Sequence, residues 1–159
     1  MKQISGGVTA AKGFCAASTA AGIKYKERKD MALIFSKTPC KAAGTFTTNI
    51  VKAAPVKWDQ KIVAESACAH AVVVNAGIAN ACTGQEGMDY CSQTADHAAE
   101  LLKIPADSVL VASTGVIGMQ LPMERIKDGV SAMVPELSDA NEAGHQASLA
   151  IMTTDTHEK

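Results

Sequence analysis

The run Val109-Leu110-Val111-Ala112 ends abruptly in Ser113-Thr114-Gly115, and this step carries the clearest chemistry in the chain. An apolar, β-branched run of this kind reads as a buried strand. The step after it sets a hydroxyl and a bare backbone N–H at the strand's C-terminal end. Glycine has no Cβ, so another atom can approach its main chain closely. A threonine O–H beside a glycine N–H supplies two convergent donors, which is what acyl transfer requires around a developing oxyanion. The same step also reads as a tight strand-to-loop turn, and the spacing leaves both readings open.

Three further segments combine small residues with hydroxyls or amides. They are Phe46-Thr47-Thr48-Asn49, the stretch Asn75-Ala76-Gly77-Ile78-Ala79-Asn80-Ala81-Cys82-Thr83-Gly84, and Met152-Thr153-Thr154-Asp155-Thr156. Each is ordinary alone, since Asn-x-Gly is a common turn and threonine-rich stretches are often strands. Taken together they suit a small polar or anionic group held by hydroxyls and backbone amides. No G-x-S-x-G elbow is present, and no glycine-rich phosphate loop ends in Lys-Ser/Thr. His70, His97, His145 and His157 form no ligand pair at helical or ribbon spacing, so no metal is expected. The five cysteines are odd in number and none are spaced C-x-x-C, which suits reduced thiols in a cytoplasmic protein.

The elements that position these residues must be built from small aliphatics. Of the 159 residues 47% are hydrophobic, but only 4% are aromatic. A single domain, residues 1–159, of Ala, Val, Ile, Leu and Met in packed layers is the expectation. The net charge is −1. The basic run Lys24-Tyr25-Lys26-Glu27-Arg28-Lys29 is broken by Glu27 and followed by Asp30, so it reads as a solvated turn. That pattern argues against a nucleic-acid partner. The first residues lack the apolar core of a signal peptide, and no apolar run approaches membrane-spanning length.

Met31-Ala32-Leu33-Ile34-Phe35-Ser36 is a strong strand candidate, broken by Thr38-Pro39. Ala42-Ala43-Gly44-Thr45-Phe46-Thr47-Thr48 reads as the next strand and an antiparallel partner for it. Residues 15–22 are only weakly β-prone. Ala71-Val72-Val73-Val74 is another buried strand. A helix spans residues 87–102, with Met88, Cys91, Ala95, Ala98 and Leu102 on its apolar side. Pro122 opens a second helix, striped by Met123, Ile126, Val130 and Met133. A third starts near Asp139, with Glu142 placed as in a capping box, and runs through Ala143, Ala147 and Ala150-Ile151. Strands first and helices later predict an α+β layered fold.

Six motifs stand in a familiar order: Thr9-Ala10-Ala11-Lys12-Gly13-Phe14, Phe46-Thr47-Thr48-Asn49, Lys52-Ala53-Ala54-Pro55-Val56, residues 75–84, residues 113–118 and Ile151-Met152-Thr153-Thr154-Asp155-Thr156. Together they resemble the N-terminal (α) chain of the ornithine acetyltransferase family, the bifunctional glutamate N-acetyltransferases of arginine biosynthesis. The resemblance implies the layered sheet-and-helix fold of that autoprocessing, N-terminal-nucleophile-like type. It implies a precursor that cuts itself before a threonine, which becomes the nucleophile of a β chain. Acetyl then moves from N-acetylornithine to this threonine and on to glutamate, and acetyl-CoA is a further candidate donor. No cofactor is implied. The partners implied are the β chain, in an α2β2 assembly, and the two amino-acid substrates.

Carried over residue by residue, Thr114 and Gly115 match the family's oxyanion-hole pair. Thr153 matches a substrate-binding threonine, with Thr154 the second candidate. Ile78 stands where the family usually has a polar residue. The family's α chain continues beyond the position of Lys159 to the cleavage junction, so the nucleophile and a substrate-binding lysine are expected outside this sequence. Two other readings remain: a related autoprocessing aminopeptidase subunit, and a non-catalytic domain that binds a small ligand.

Overall fold

The computed structural model describes residues 4, 6–66, 68–155 and 157. Four strands form one sheet in the order β1-β2-β3-β4: Phe14–Thr19, Met31–Cys40, Ala69–Ile78 and Val109–Val116. The β1–β2 and β2–β3 pairs are antiparallel, while β3 and β4 run parallel. A parallel pair needs a long crossover. Helix α2, Gly84–Leu102, supplies it, after α1, Ala54–Glu65, and before α3, Met123–Met133, and α4, Asn141–Ala150.

Strand alternation sends side chains to two faces. On one face Met31, Leu33, Val73 and Val109 meet Ala95 and Ala98 of α2 and Ile126, Val130 and Met133 of α3. Burying each of the larger of these side chains is worth roughly 1.5–3 kcal/mol. On the other face Ala16 and Ala32 meet Ala147 and Ala150 of α4. Alanine on both sides lets this helix lie close to the sheet. The α+β layering expected from composition is therefore present, with Met and Ala stripes as core faces.

The order of elements differs from expectation. Residues 42–48 form no strand, and β2 pairs instead with β1 and β3. The weakly β-prone segment at Cys15 is preferred because its small side chains fit beneath α4, a benefit that propensity does not register. Strand β2 also passes through Thr38-Pro39 to Cys40. A register shift between Phe35 and Cys40 loosens the ladder there, so the N–H that proline lacks is not needed. Helix α4 begins at Asn141 without a side-chain cap. Ser138 Oγ instead accepts the N–H of Ala140 at 3.2 Å, so the expected capping box is absent.

Helix α1 has no counterpart among the expected elements. It starts with Pro55 in its first turn, where the missing N–H costs nothing. Its work is at the sheet's edge. Strand β4 is outermost, and an unpaired edge invites unwanted pairing. Trp58 Nε1 donates to Val109 O at 3.0 Å, and Val111 N donates to Asp59 Oδ1 at 2.9 Å. Burial pushes the Asp59 carboxyl up to about 6, against the opposing pull of the Val111 N–H. Beneath it, burial first and then the Asp59 charge push the Cys91 thiol up to about 12. Cys15, Cys40, Cys68, Cys82 and Cys91 are all free thiols. Among the described residues no helix is long and apolar enough to cross a membrane, and no cluster of His, Cys, Asp and Glu could hold a metal.

Because burial favours the neutral acid, the folded chain holds the Asp59 proton more tightly than the unfolded chain does. The stability this confers is complete below the ordinary value of 3.8 and is lost as the pH rises through about 6. Asp59→Asn keeps an oxygen for Val111 but cannot ionise. Its thermal midpoint should therefore lose less than the wild type's between about pH 4 and 7. Parallel pH profiles in the two proteins would remove Asp59 as a source of that dependence.

Candidate functional site

The site forms where β3 and β4 end together. Gly77 and Gly115 are partners across this parallel pair. Their φ values are +107° and +135°, a region that favours glycine. A Cβ on Gly115 would lie 2.3 Å from the carbonyl carbon of Gly77, so the two backbones touch with nothing between them. Asn75, 4% exposed, locks the approach. Ser113 Oγ donates to its Oδ1 at 2.5 Å, and its Nδ2 donates to Ile78 O at 2.8 Å. Ala79 N then donates to Val116 O at 2.9 Å, which carries the pairing past the strand ends.

The loop over residues 20–30, between β1 and β2, closes one side. Its anchor is Asp30, only 1% exposed. The Asp30 carboxylate accepts the N–H groups of Ala21 at 2.7 Å and Ile23 at 2.6 Å. Its carbonyl accepts the N–H of Ala76 at 2.8 Å, which fastens the loop to β3. Lys24 consequently sits over Gly77, 2.9 Å from where a Cβ would stand. The Lys24 ammonium and the Arg28 guanidinium each lie 5.3 Å from the centre of the Tyr25 ring. Arg28 also donates to Thr153 O at 3.0 Å and to Met152 O, just past the end of α4.

These pieces enclose a cleft of about 300 Å³, lined by Lys24, Tyr25, Gly77, Thr114, Gly115, Val116, Thr153 and Thr154. All four residues singled out from the sequence, Thr114, Gly115, Thr153 and Thr154, thus face one space. Thr153 is half-buried, while the other three are exposed. Thr156 lies outside the described residues. A larger cleft of about 610 Å³ crosses the opposite sheet face, floored by Ala32, Ile34 and Val74, and none of the four lines it.

The other segments take structural roles. Within 46–49 the contacts are local turns, with Asn49 N donating to Thr47 Oγ1 at 3.1 Å. In the 75–84 stretch Asn80, 1% exposed, sets the starts of two helices. Its Nδ2 donates to Gly87 O at 2.8 Å, its Oδ1 accepts from Thr83 Oγ1 at 2.7 Å, and its carbonyl accepts from Ala54 N at 3.2 Å. Ile78 is buried in the main core, which accounts for an apolar residue there. Sequence reasoning missed Lys24, Tyr25 and Arg28, because a basic run reads as solvent-facing. The acid at Asp30 that closes the run was the available signal: buried, it folds the loop inward.

The fold and cleft define a class: an α+β protein with a mixed sheet and a polar site at its parallel strand ends. The chain belongs to the ArgJ family, whose model matches residues 15–159. It is 49% identical over 146 residues to the arginine biosynthesis bifunctional protein ArgJ of Thermotoga neapolitana, covering 91% of this chain and 36% of that protein. The ArgJ protein of Gloeobacter violaceus is also 49% identical, over 96% of this chain and 37% of its own length. The chain thus spans a little over a third of these relatives. The crystal structure of ArgJ from Bacillus halodurans superposes with a TM-score of 0.91 at 42% identity, covering 97% of this chain and 79% of that one. Ornithine acetyltransferase from Mycobacterium tuberculosis, solved in complex with ornithine, gives a TM-score of 0.91 at 44% identity, covering 96% of this chain and 81% of that one.

The Gly77–Gly115 contact makes a direct prediction. Gly115→Ala forces a Cβ into backbone and strains φ, so it should destabilise the fold by more than the roughly 1–3 kcal/mol of φ strain alone. Gly118 also has positive φ, +91°, but nothing within 4 Å of its Cβ position. Gly118→Ala is therefore the matched control, and urea unfolding should rank Gly115→Ala well below it. Equal midpoints would mean the two strands separate freely at Gly77.

Proposed function

We propose that this chain is the α part of a bifunctional acetyltransferase of arginine biosynthesis, acting in the cytoplasm on N-acetylornithine and glutamate. The observation that carries the reading is the meeting of Thr114 and Gly115 with Thr153 and Thr154 in one cleft. The ornithine bound in the Mycobacterium tuberculosis relative supports the substrate class. A β chain of the same precursor supplies the threonine nucleophile, and two copies of each chain assemble. Acetyl-CoA is a further candidate donor to glutamate, as a substrate and not a resident cofactor.

In this mechanism the β-chain threonine Oγ attacks the acetyl carbonyl of N-acetylornithine, and its proton passes to its own α-amine. The carbonyl oxygen becomes an oxyanion that accepts from Thr114 O–H and Gly115 N–H. Collapse breaks the C–N bond. The departing α-nitrogen, which bore the acetyl group, takes the proton, and ornithine leaves. The α-amine of glutamate then attacks the acetyl-threonine through the same oxyanion site. Thr153, with Thr154 as the second candidate, binds the amino-acid part of each substrate in turn. The α chain therefore contributes stabilisation and positioning, and the β chain contributes the covalent step.

Two substitutions in the assembled enzyme test the reading. Thr114→Ala should lower acetyl transfer by about 10²–10³-fold, the usual effect of removing an oxyanion donor. Self-cleavage should slow too, since it passes through a tetrahedral oxyanion. Thr153→Val keeps the shape and removes one hydrogen bond to a charged substrate group, which should lower kcat/KM about 10- to 150-fold for both substrates. Each donor, N-acetylornithine or acetyl-CoA, is assayed separately with glutamate. Wild-type turnover and maturation in Thr114→Ala would sink the oxyanion assignment.

A further inference from the structure

We propose that Arg28 is a positioning residue that holds Thr153 at the acyl-transfer cleft. The proposal rests on the reading of Thr153 as a substrate contact. Arg28 comes from the β1–β2 loop, which is fixed by the two backbone N–H groups on the buried Asp30 carboxylate. From that base its guanidinium reaches across and donates to two consecutive carbonyls, Met152 O and Thr153 O. The planar fork of arginine suits paired acceptors, and a lysine ammonium does not.

The place of these carbonyls gives the contact its weight. Helix α4 ends at Ala150, and Met152 N still donates to Leu149 O at 3.2 Å. Beyond that turn the chain no longer follows a helical ladder. The Met152 and Thr153 carbonyls lie just past the helix and outside its ladder, so they are free to accept from a side chain. A cation that binds them fixes where the following residues go. Here one of the bound carbonyls belongs to Thr153 itself, which is half-buried and lines the cleft with Thr114 and Gly115. The guanidinium also lies 5.3 Å from the centre of the Tyr25 ring. Arg28 is not among the residues that line the cleft, so its influence on substrate passes through Thr153.

The test uses the assembled enzyme, with Arg28→Ala, Arg28→Lys, Thr153→Val and the Arg28→Ala/Thr153→Val double variant. Arg28→Ala should raise KM about tenfold for both N-acetylornithine and glutamate while leaving kcat nearly unchanged, the pattern of lost uniform binding. Arg28→Lys keeps the charge and should recover part of the loss. The double variant should be no worse than Thr153→Val alone, because the two residues act in series. A purely stabilising Arg28 would lower the thermal midpoint or the active fraction without moving KM, and that result would overturn the proposal. So would additive effects in the double variant. Where Arg28→Ala fails to fold, wild-type KM in Arg28→Lys together with an intact fold would overturn it as well. If Thr153→Val is silent, the substrate role of Thr153 fails and this proposal falls with it. If Thr153→Val raises KM and Arg28→Ala does not, only the Arg28 proposal fails.

Discussion

Two glycines, Gly77 and Gly115, paired across parallel strands, bring their backbones so close that a Cβ on Gly115 has no room. Neither strand could hold its path with a side chain at these positions. That contact brings β3 and β4 to an end at the same level and turns both with positive φ. Asn75 then ties the strands through Ser113 and Ile78, so the geometry does not depend on backbone pairing alone. A ledge results in which Thr114 is exposed while its neighbours one and two residues back are pinned. Rigidity of this kind is what a preorganised set of donors needs, because it removes reorganisation at the moment charge develops.

Two other pieces must be brought to that ledge, and both arrive from far away in the sequence. The β1–β2 loop arrives because Asp30 is buried. An unpaired buried carboxylate would be very costly, so the loop must wrap to bring N–H groups to it. The Ala21 and Ile23 N–H groups meet that demand, and the wrapping leaves Lys24 and Tyr25 facing the strand ends and Arg28 on the chain past α4. The end of α4 arrives because alanines of that helix lie flat on alanines of β1 and β2. One placement is driven by polar satisfaction and the other by close apolar packing.

This division explains what was legible in the sequence. The strands at Met31, Ala71 and Val109 and the helices α2 and α3 announce themselves through apolar period and breakers, and all five are present. Thr114, Gly115, Thr153 and Thr154, which line one cleft, were singled out through ordered motifs resembling a family, and composition alone would not have joined them. Strand β1 was underrated because Ala16 and Ala17 have poor β propensity, and its value lies in the room they leave for a helix. Helix α1 was missed because its two key side chains, Trp58 and Asp59, serve an edge and not an apolar face. Arg28 was hidden for a similar reason. A charge run shows its sign in the sequence, but the buried acid that folds it inward acts through tertiary contacts.

Strand β4 shows how one element serves both stability and the site. Its first half is sealed: Val109 is 0% and Val111 is 4% exposed, and α1 covers the edge through Trp58 and Asp59. Its second half, from Thr114 to Val116, is open. The boundary falls where α1's contacts stop. Had the helix reached further, the edge would be better protected but the threonine hydroxyl would be covered. Had it been shorter, β4 would expose an unpaired edge along its whole length. The raised Asp59 carboxyl is the consequence of that compromise: an acid half-withdrawn from water holds the last covered N–H, immediately before the strand gives way to the site.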